Sequence, residues 1–330
     1  MESAEEEEVR KKLAEFVAAD ETCEDLLARL AGTQVEVRTS LPFLDAGARE
    51  RAAGGRRLGR LRVRAGQVLE ICGTNDTCKT ECLLQAAATC VLPKACGGCS
   101  SNVVFLEMKG GVDPLRLVQI LDTRIRQTQK SAGSRLLEES LRRFELVRCY
   151  NNLDLVCALK VLSAREEGER GQGSEGGDGN TPCRLLLIDD ISAFYWIDKS
   201  FDASQSATQT SFGGLSSSRK EDKVLRTVSY NLQSVYEAIA LNLKKVAESL
   251  GSAVIVTRNL HLPPQKGGLP EKLNLGATLP KAWQDIVHYR VVLQRPDAKE
   301  NAFCAVWDTP KRPGEVVRFA VKDHILEALA

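Results

Sequence analysis

Lys79 and Thr80 follow Gly73 at the spacing of a phosphate-cradling loop. In the pattern G-x-x-x-x-G-K-[ST], backbone N–H groups hold phosphates, the Lys reaches the outer phosphates and the Ser or Thr holds Mg²⁺. The window Val68–Thr80 reads VLEICGTNDTCKT: an apolar strand runs into Gly73, a turn follows, and Cys78-Lys79-Thr80 opens a helix. Downstream, Leu185-Leu186-Leu187-Ile188-Asp189 is an apolar strand ending in an acid of the kind that helps to hold Mg²⁺ in such sites. The expected nucleotide-binding set is Gly73, Thr77, Cys78, Lys79, Thr80 and Asp189, with Thr80 and Asp189 as metal ligands if a nucleotide binds. Two residues work against binding. Cys78 stands where a second glycine would let backbone approach phosphate without a Cβ in the way. Asp76 brings an anion to a loop meant for anions. At about 4 Å and an effective dielectric near 20 it would repel a phosphate by about 4 kcal/mol, roughly a thousandfold in affinity, whereas a solvent-facing Asp76 costs little. ATP with Mg²⁺ is expected to bind weakly or not at all.

These residues need a scaffold, and the chain alternates strand and helix patterns as an α/β fold does. Strands are expected at Val68–Cys72, Val103–Met108, Phe144–Tyr150, Leu185–Asp189 and Ala253–Thr257. Helices are expected at Lys79–Leu92, Asp113–Gln127, Asn152–Ser163 and from about Val224 to Leu250. Val287–Arg295, Ala302–Asp308 and Val316–Lys322 read as an antiparallel edge meander. Residues 1–59 are expected to be a helical extension and an Arg-rich linker, and 60–330 the core. The Arg-rich block is a solvated linker or else a phosphate-facing or import segment. Arg165–Thr181 has no apolar residue and reads as a disordered insertion. Lys plus Arg (45) nearly cancel Asp plus Glu (44), so any nucleic-acid contact must be local. No apolar run reaches the roughly 18 residues that span a bilayer, so no membrane partner is expected. The acidic start MESAEEEEVRKK is unlike an export signal, so the 11 cysteines read as reduced thiols in cytosol or nucleus. Cys96-Gly97-Gly98-Cys99 lacks a second metal pair and reads as a Gly-rich loop, with no zinc expected.

The segment Val103–Leu117, VVFLEMKGGVDPLRL, resembles the RecA-like recombinases of eukaryotic homologous recombination. In that family the strand ends in Asp-Thr-Glu-Gly and leads into a Pro-x-Arg-Leu helix; Gly110, Pro114, Arg116 and Leu117 match. The family's Glu, which polarises the attacking water, is Lys109 here, a cation that cannot serve as a general base unless deprotonated. LLLIDDISAFYWID (185–198), KAWQDIVHYR (281–290), CVLPK (90–94) and DLLARL (25–30) point further, to a non-filamentous paralogue within the family. Phe194 in the aromatic triplet also reads as core packing. The resemblance spans about Phe16 to Arg295, outside the insertion.

The resemblance implies a RecA-like P-loop core: a mainly parallel sheet flanked by helices, with an antiparallel C-terminal edge and a short N-terminal extension. It implies a nuclear DNA-repair role as one subunit of a hetero-oligomer with other recombinase paralogues, assisting the main recombinase at damaged DNA. Phe16 and Ala19 of Phe16-Val17-Ala18-Ala19 match the family's docking segment, or form an ordinary apolar helix face. The loops at 199–222 and 261–280 fall at DNA-contacting positions, where Arg219, Lys220, Lys266, Lys272 and Lys281 are the available cations. So few phosphate contacts imply modest, salt-sensitive binding of single-stranded or branched DNA. Arg258-Asn259 replaces a γ-phosphate-sensing Asn-Gln pair, and an Arg there could reach a neighbour's nucleotide. With Cys78, Lys109 and Arg258 all altered, the expected chain is not an enzyme. The alternatives are a DNA-stimulated ATPase and, more weakly, a metabolic kinase.

Overall fold

The short aliphatic runs at 68–73, 102–107, 144–148, 183–189 and 253–259 are too brief for buried helices, and each becomes a strand. The computed structural model describes residues 36–45, 63–128, 133–170, 183–202, 231–260, 279–297, 301–308 and 316–329. In chain order the elements are β1 (Glu36–Val37), α1 (Pro42–Asp45), β2 (Val63–Arg64), β3 (Val68–Gly73) and α2 (Lys79–Val91). Then come β4 (Asn102–Glu107), α3 (Pro114–Thr128), α4 (Gly133–Leu141), β5 (Phe144–Arg148), α5 (Asn152–Arg170) and β6 (Cys183–Asp189). A helix over 195–202, α6, precedes α7 (Leu232–Ser249) and β7 (Ala253–Asn259). The chain closes with α8 (Lys281–Ile286), β8 (Tyr289–Gln294), β9 (Ala302–Trp307), β10 (Val316–Lys322) and β11 (Ile325–Ala328).

Nine strands form one sheet in the order β11-β10-β9-β8-β3-β7-β6-β4-β5. Every pair from β8 to β5 is parallel, and β9, β10 and β11 are antiparallel. This is the mainly parallel sheet with an antiparallel C-terminal edge that the sequence implies, with two corrections. β8, grouped by sequence with the meander, lies parallel to β3. Its entry through α8 returns the chain to the end of the sheet where the other parallel strands start. The meander also has a further strand, β11, reached through Asp323 and His324, both at positive φ. A turn of that hand favours Asn and Gly, so Asp-His gives little signal of it.

Successive residues of the parallel strands face opposite layers, so both faces are apolar. Leu69, Ile71, Phe105, Leu187 and Ile255 pack towards α2, α3 and α4. Val68, Val104, Leu106, Ile188 and Val256 pack towards α5 and α7. Helix α2 is buried from Cys82 to Val91, and its run Ala86-Ala87-Ala88 allows close approach to the sheet. Residues 41–44 precede the boundary expected at 60, yet Leu41, Phe43 and Leu44 are fully buried, and the Phe43 ring lies 5.7 Å from that of Phe319. Helix α4 is absent from the sequence reading. Helix α5 runs on to Arg170, so the first residues of the insertion expected from Arg165 are helical; 171–181 lie outside the described residues.

Candidate nucleotide site

Gly73 ends β3 where no side chain fits. A Cβ there would stand 2.3 Å from Thr77 Oγ1 and 2.9 Å from the Leu293 carbonyl oxygen. Thr77 Oγ1 donates to the Thr74 carbonyl at 2.8 Å and closes the turn. Asp76 is exposed and its Oδ1 accepts from Thr74 Oγ1 at 3.2 Å, so it sits at the outer rim of the loop. Cys78, at φ 53° and ψ 27°, holds the left-handed conformation that a glycine would adopt freely. For an L-residue that conformation costs about 1–2 kcal/mol, against about 0.5–1 kcal/mol for the greater chain entropy that glycine loses on folding. Cys78→Gly is therefore expected to raise stability by about 0.5–1 kcal/mol in urea denaturation.

Behind the loop, Lys79 is almost wholly buried and its Nζ donates to the Gly73 carbonyl at 2.9 Å and also to that of Thr74. Burial, with the Lys109 charge added, pulls its ammonium below the ordinary lysine range against the attraction of Asp190 and Asp189. Thr80 Oγ1 donates to Asp189 Oδ2 at 2.6 Å, and Thr257 Oγ1 donates to Asp189 Oδ1. Burial pushes the Asp189 carboxyl up, and Asp190 adds to this; both hydroxyls and Lys109 oppose it. Lys109 Nζ lies 3.1 Å from Asp190 Oδ2, while Asp190 Oδ1 accepts from Ser192 N at 2.7 Å and from Ser192 Oγ. Glu107, the nearest acid on β4, is buried and committed: it accepts from Val112 N and, at 3.1 Å, from Arg148 Nε. No carboxylate among the described residues takes the place that Lys109 occupies.

The phosphate-cradling part of the donor set fits a polyphosphate: Gly73, Thr77, Cys78, Lys79 and Thr80 follow one another from the end of β3 into α2, and the end of β6 brings Asp189 to Thr80. The metal-holding part fits Mg²⁺ poorly, because both Asp189 oxygens accept hydroxyls and the Lys109 ammonium stands beside Asp190 Oδ2, a buried oxygen with no hydrogen-bond partner, where a dication would meet like charge.

Arg258 is a correction. It points into the interior, 1% exposed, with Nη1 3.4 Å from Glu70 Oε1, so it does not reach towards a neighbour's nucleotide. β7 pairs with β3 in a register that sets Arg258 beside Cys72, and Glu70 lies on the same face of β3. Glu70 also accepts from Trp283 Nε1 at 2.8 Å, from Arg290 Nε and from Cys72 Sγ at 3.3 Å. Burial alone would raise the Glu70 carboxyl, but the two guanidiniums and the indole together hold it below the usual carboxylate range. Sequence reasoning missed this network, and the Trp of KAWQDI is part of it.

Lys281 is exposed at the first residue of α8. Phe16, Ala19, Arg219, Lys220, Lys266 and Lys272 lie outside the described residues. In the aromatic triplet it is Tyr195 that is buried; Phe194 is half-buried and Trp196 is exposed. In the Cys96–Cys99 loop, Gly98 is required by packing, since a Cβ would fall 2.0 Å from the Leu92 carbonyl oxygen. A second concavity lies beside β5, the outermost strand on its side of the sheet. It encloses about 300 Å³ between β5 and α5, walled by Leu106, Val147, Cys157, Ala158, Val161 and Leu162. The Glu145–Arg165 ion pair, 3.0 Å, lies at the same concavity.

No protein-family model matches the chain. It is similar to the DNA repair protein XRCC2 homolog of Arabidopsis thaliana, 28% identical over 288 residues, covering 72% of this chain and 71% of the relative. It is also similar to the DNA repair protein XRCC2 of Mus musculus, 29% identical over 245 residues and covering 73% and 77%. The DNA repair protein RAD51 homolog 4 of Mus musculus is 25% identical over 237 residues, covering 72% and 56%.

Proposed function

Starting from a chain that resembles the XRCC2-type recombinase paralogues over most of its length, we propose that it is a DNA-repair protein of homologous recombination. It acts as one subunit of a hetero-oligomer of recombinase paralogues, in the nucleus, and assists the main recombinase at damaged DNA. It works through protein contacts with little or no ATP turnover. One observation carries this reading: the position from which a base would activate water holds Lys109, ion-paired to Asp190. An ammonium has no lone pair, so it cannot accept a proton from water.

The partner contact is assigned to the concavity beside β5. The outer backbone of an edge strand accepts an extended segment by strand addition, and an adjacent apolar pocket takes that segment's side chains. The occupant is the extended docking segment of the neighbouring paralogue, and Phe16–Ala19 is the segment this chain offers in turn. Val161 is half exposed on the pocket wall. Val161→Glu places a charge there and is expected to reduce co-purification of the partner subunit at least about tenfold, as loss of an interface anchor does. Undiminished co-purification removes the groove from the reading. DNA contact belongs to Lys281 and to the loop cations outside the described residues, and it is weak and salt-sensitive.

Retention of Lys79 and of the Thr80–Asp189 pair favours a second reading, a DNA-stimulated ATPase. ATP hydrolysis by the purified chain on single-stranded DNA, abolished by Lys79→Ala, would establish that reading instead.

A further inference from the structure

Two ammoniums and two carboxylates share the space between the loop after β3 and the ends of β4 and β6. The carboxylates are consecutive, Asp189 and Asp190, and both are buried. One ammonium, Lys79, belongs to the cradle. The other, Lys109, comes from the residue pair just beyond β4, where Met108 N donates to the Asp189 carbonyl at 2.6 Å and pins that chain end alongside β6. This contact places Lys109 Nζ 3.1 Å from Asp190 Oδ2 while leaving its side chain 39% exposed, one end in the site and one face towards solvent.

Such carboxylate pairs usually bring a polyphosphate close through a divalent cation, which offsets charge that would otherwise repel the ligand. Here that offset is already present. Asp190 accepts from Ser192 through Oδ1 and has the Lys109 charge beside Oδ2, which has no hydrogen-bond partner, and Asp189 is capped by two hydroxyls. A metal would have to displace Lys109 or a hydroxyl to reach either acid. Lys79 spends its protons on the carbonyls of Gly73 and Thr74, where phosphate oxygens would be its partners in a loaded cradle.

We propose that Lys109 is a tethered cation standing in for the divalent metal, so that the cradle takes a polyphosphate anion, inorganic or nucleoside, without Mg²⁺. The proposal deepens the reading above of a degenerate nucleotide site and rests on it. Lys109 acts as a point charge that both holds Asp190 and faces the outer phosphates.

The test titrates the full chain with a fluorescent nucleoside diphosphate and with inorganic pyrophosphate, each in EDTA and again with Mg²⁺. Wild-type affinity is expected to agree between the two conditions within about threefold. Lys109→Glu is expected to weaken binding in EDTA by at least about tenfold, with Mg²⁺ restoring most of the loss. Lys109→Met removes the charge while keeping the length of the side chain, and carries the same test should Lys109→Glu not fold. It is expected to lose affinity in EDTA as well. Wild-type binding that needs Mg²⁺ by tenfold or more overturns the proposal, as does unchanged EDTA binding in Lys109→Met. Failure of wild type to bind either probe overturns it too. None of these outcomes touches the partner-contact reading, which co-purification decides separately.

Discussion

Glu70→Ala is expected to lower the stability of the folded chain by about 3–5 kcal/mol, the cost of breaking a buried ion pair from one side. The carboxylate is fully buried in the central strand, and it is the shared partner of Arg258, Arg290 and the Trp283 indole. Without it the Arg258 guanidinium, 1% exposed, loses the carboxylate beside it in an interior where charge is costly to leave uncompensated. Glu70→Gln keeps an acceptor for Trp283 but loses both ion pairs, so it should fall between wild type and Glu70→Ala. Glu70→Leu combined with Arg258→Met should recover part of the loss, since removing both charges is milder than removing one. Urea denaturation of the set gives the ranking. Equal stability of wild type and Glu70→Ala would show that the network contributes nothing. The same carboxylate sets a pH dependence. Its folded value lies below the ordinary 4.5, so its contribution is complete above that pH and is lost as pH falls through the folded value. The stability gap between wild type and Glu70→Gln should therefore narrow in acid.

Gly73→Ala should be the second large effect. The added methyl would meet Thr77 Oγ1 at 2.3 Å and the Leu293 carbonyl at 2.9 Å. The first neighbour is a buried side chain tied to the Thr74 carbonyl, and the second is backbone of β8, so neither can step aside cheaply. Overpacking of this kind costs about 1–3 kcal/mol, and relief here would have to distort the cradle itself. The variant is expected to lose about that much stability in a denaturant titration and to lose polyphosphate binding altogether. Thr77→Ala added to Gly73→Ala should restore only part of the stability, because the Leu293 contact remains.

The parallel heart of the fold was legible because its strands are short aliphatic runs punctuated by helices of clear period. The loop residues were legible because their spacing is local. The strain at Cys78 could be foreseen from the glycine it replaces, whereas the outward placement of Asp76 depended on the Thr74 side chain it caps. Glu70 was illegible for a different reason. A single acid inside VLEICG gives no local sign of its partners, which lie 188, 213 and 220 residues later. Arg258 was misread for the same cause, since its position in the motif suggested a ligand while its real partner sits on another strand. Helix α4 was missed because it is only nine residues long, so Leu136, Leu137 and Leu141 supply just one short apolar stripe. The concavity beside β5 combines residues from β4, β5 and α5, and only the assembled sheet reveals that β5 is an edge.

The position of β3 bears on how the protein can be made. Both of its neighbours, β7 and β8, are translated long after it, and Glu70 has no counter-charge until Arg258 and then Arg290 have left the ribosome. A nascent chain is thus held short of its central pairing until residues 188 and 220 positions beyond Glu70 have emerged. A premature stop codon upstream of Tyr289 would remove β8 and strand one flank of the middle of the sheet, so losing β8 should be as damaging as losing an earlier strand.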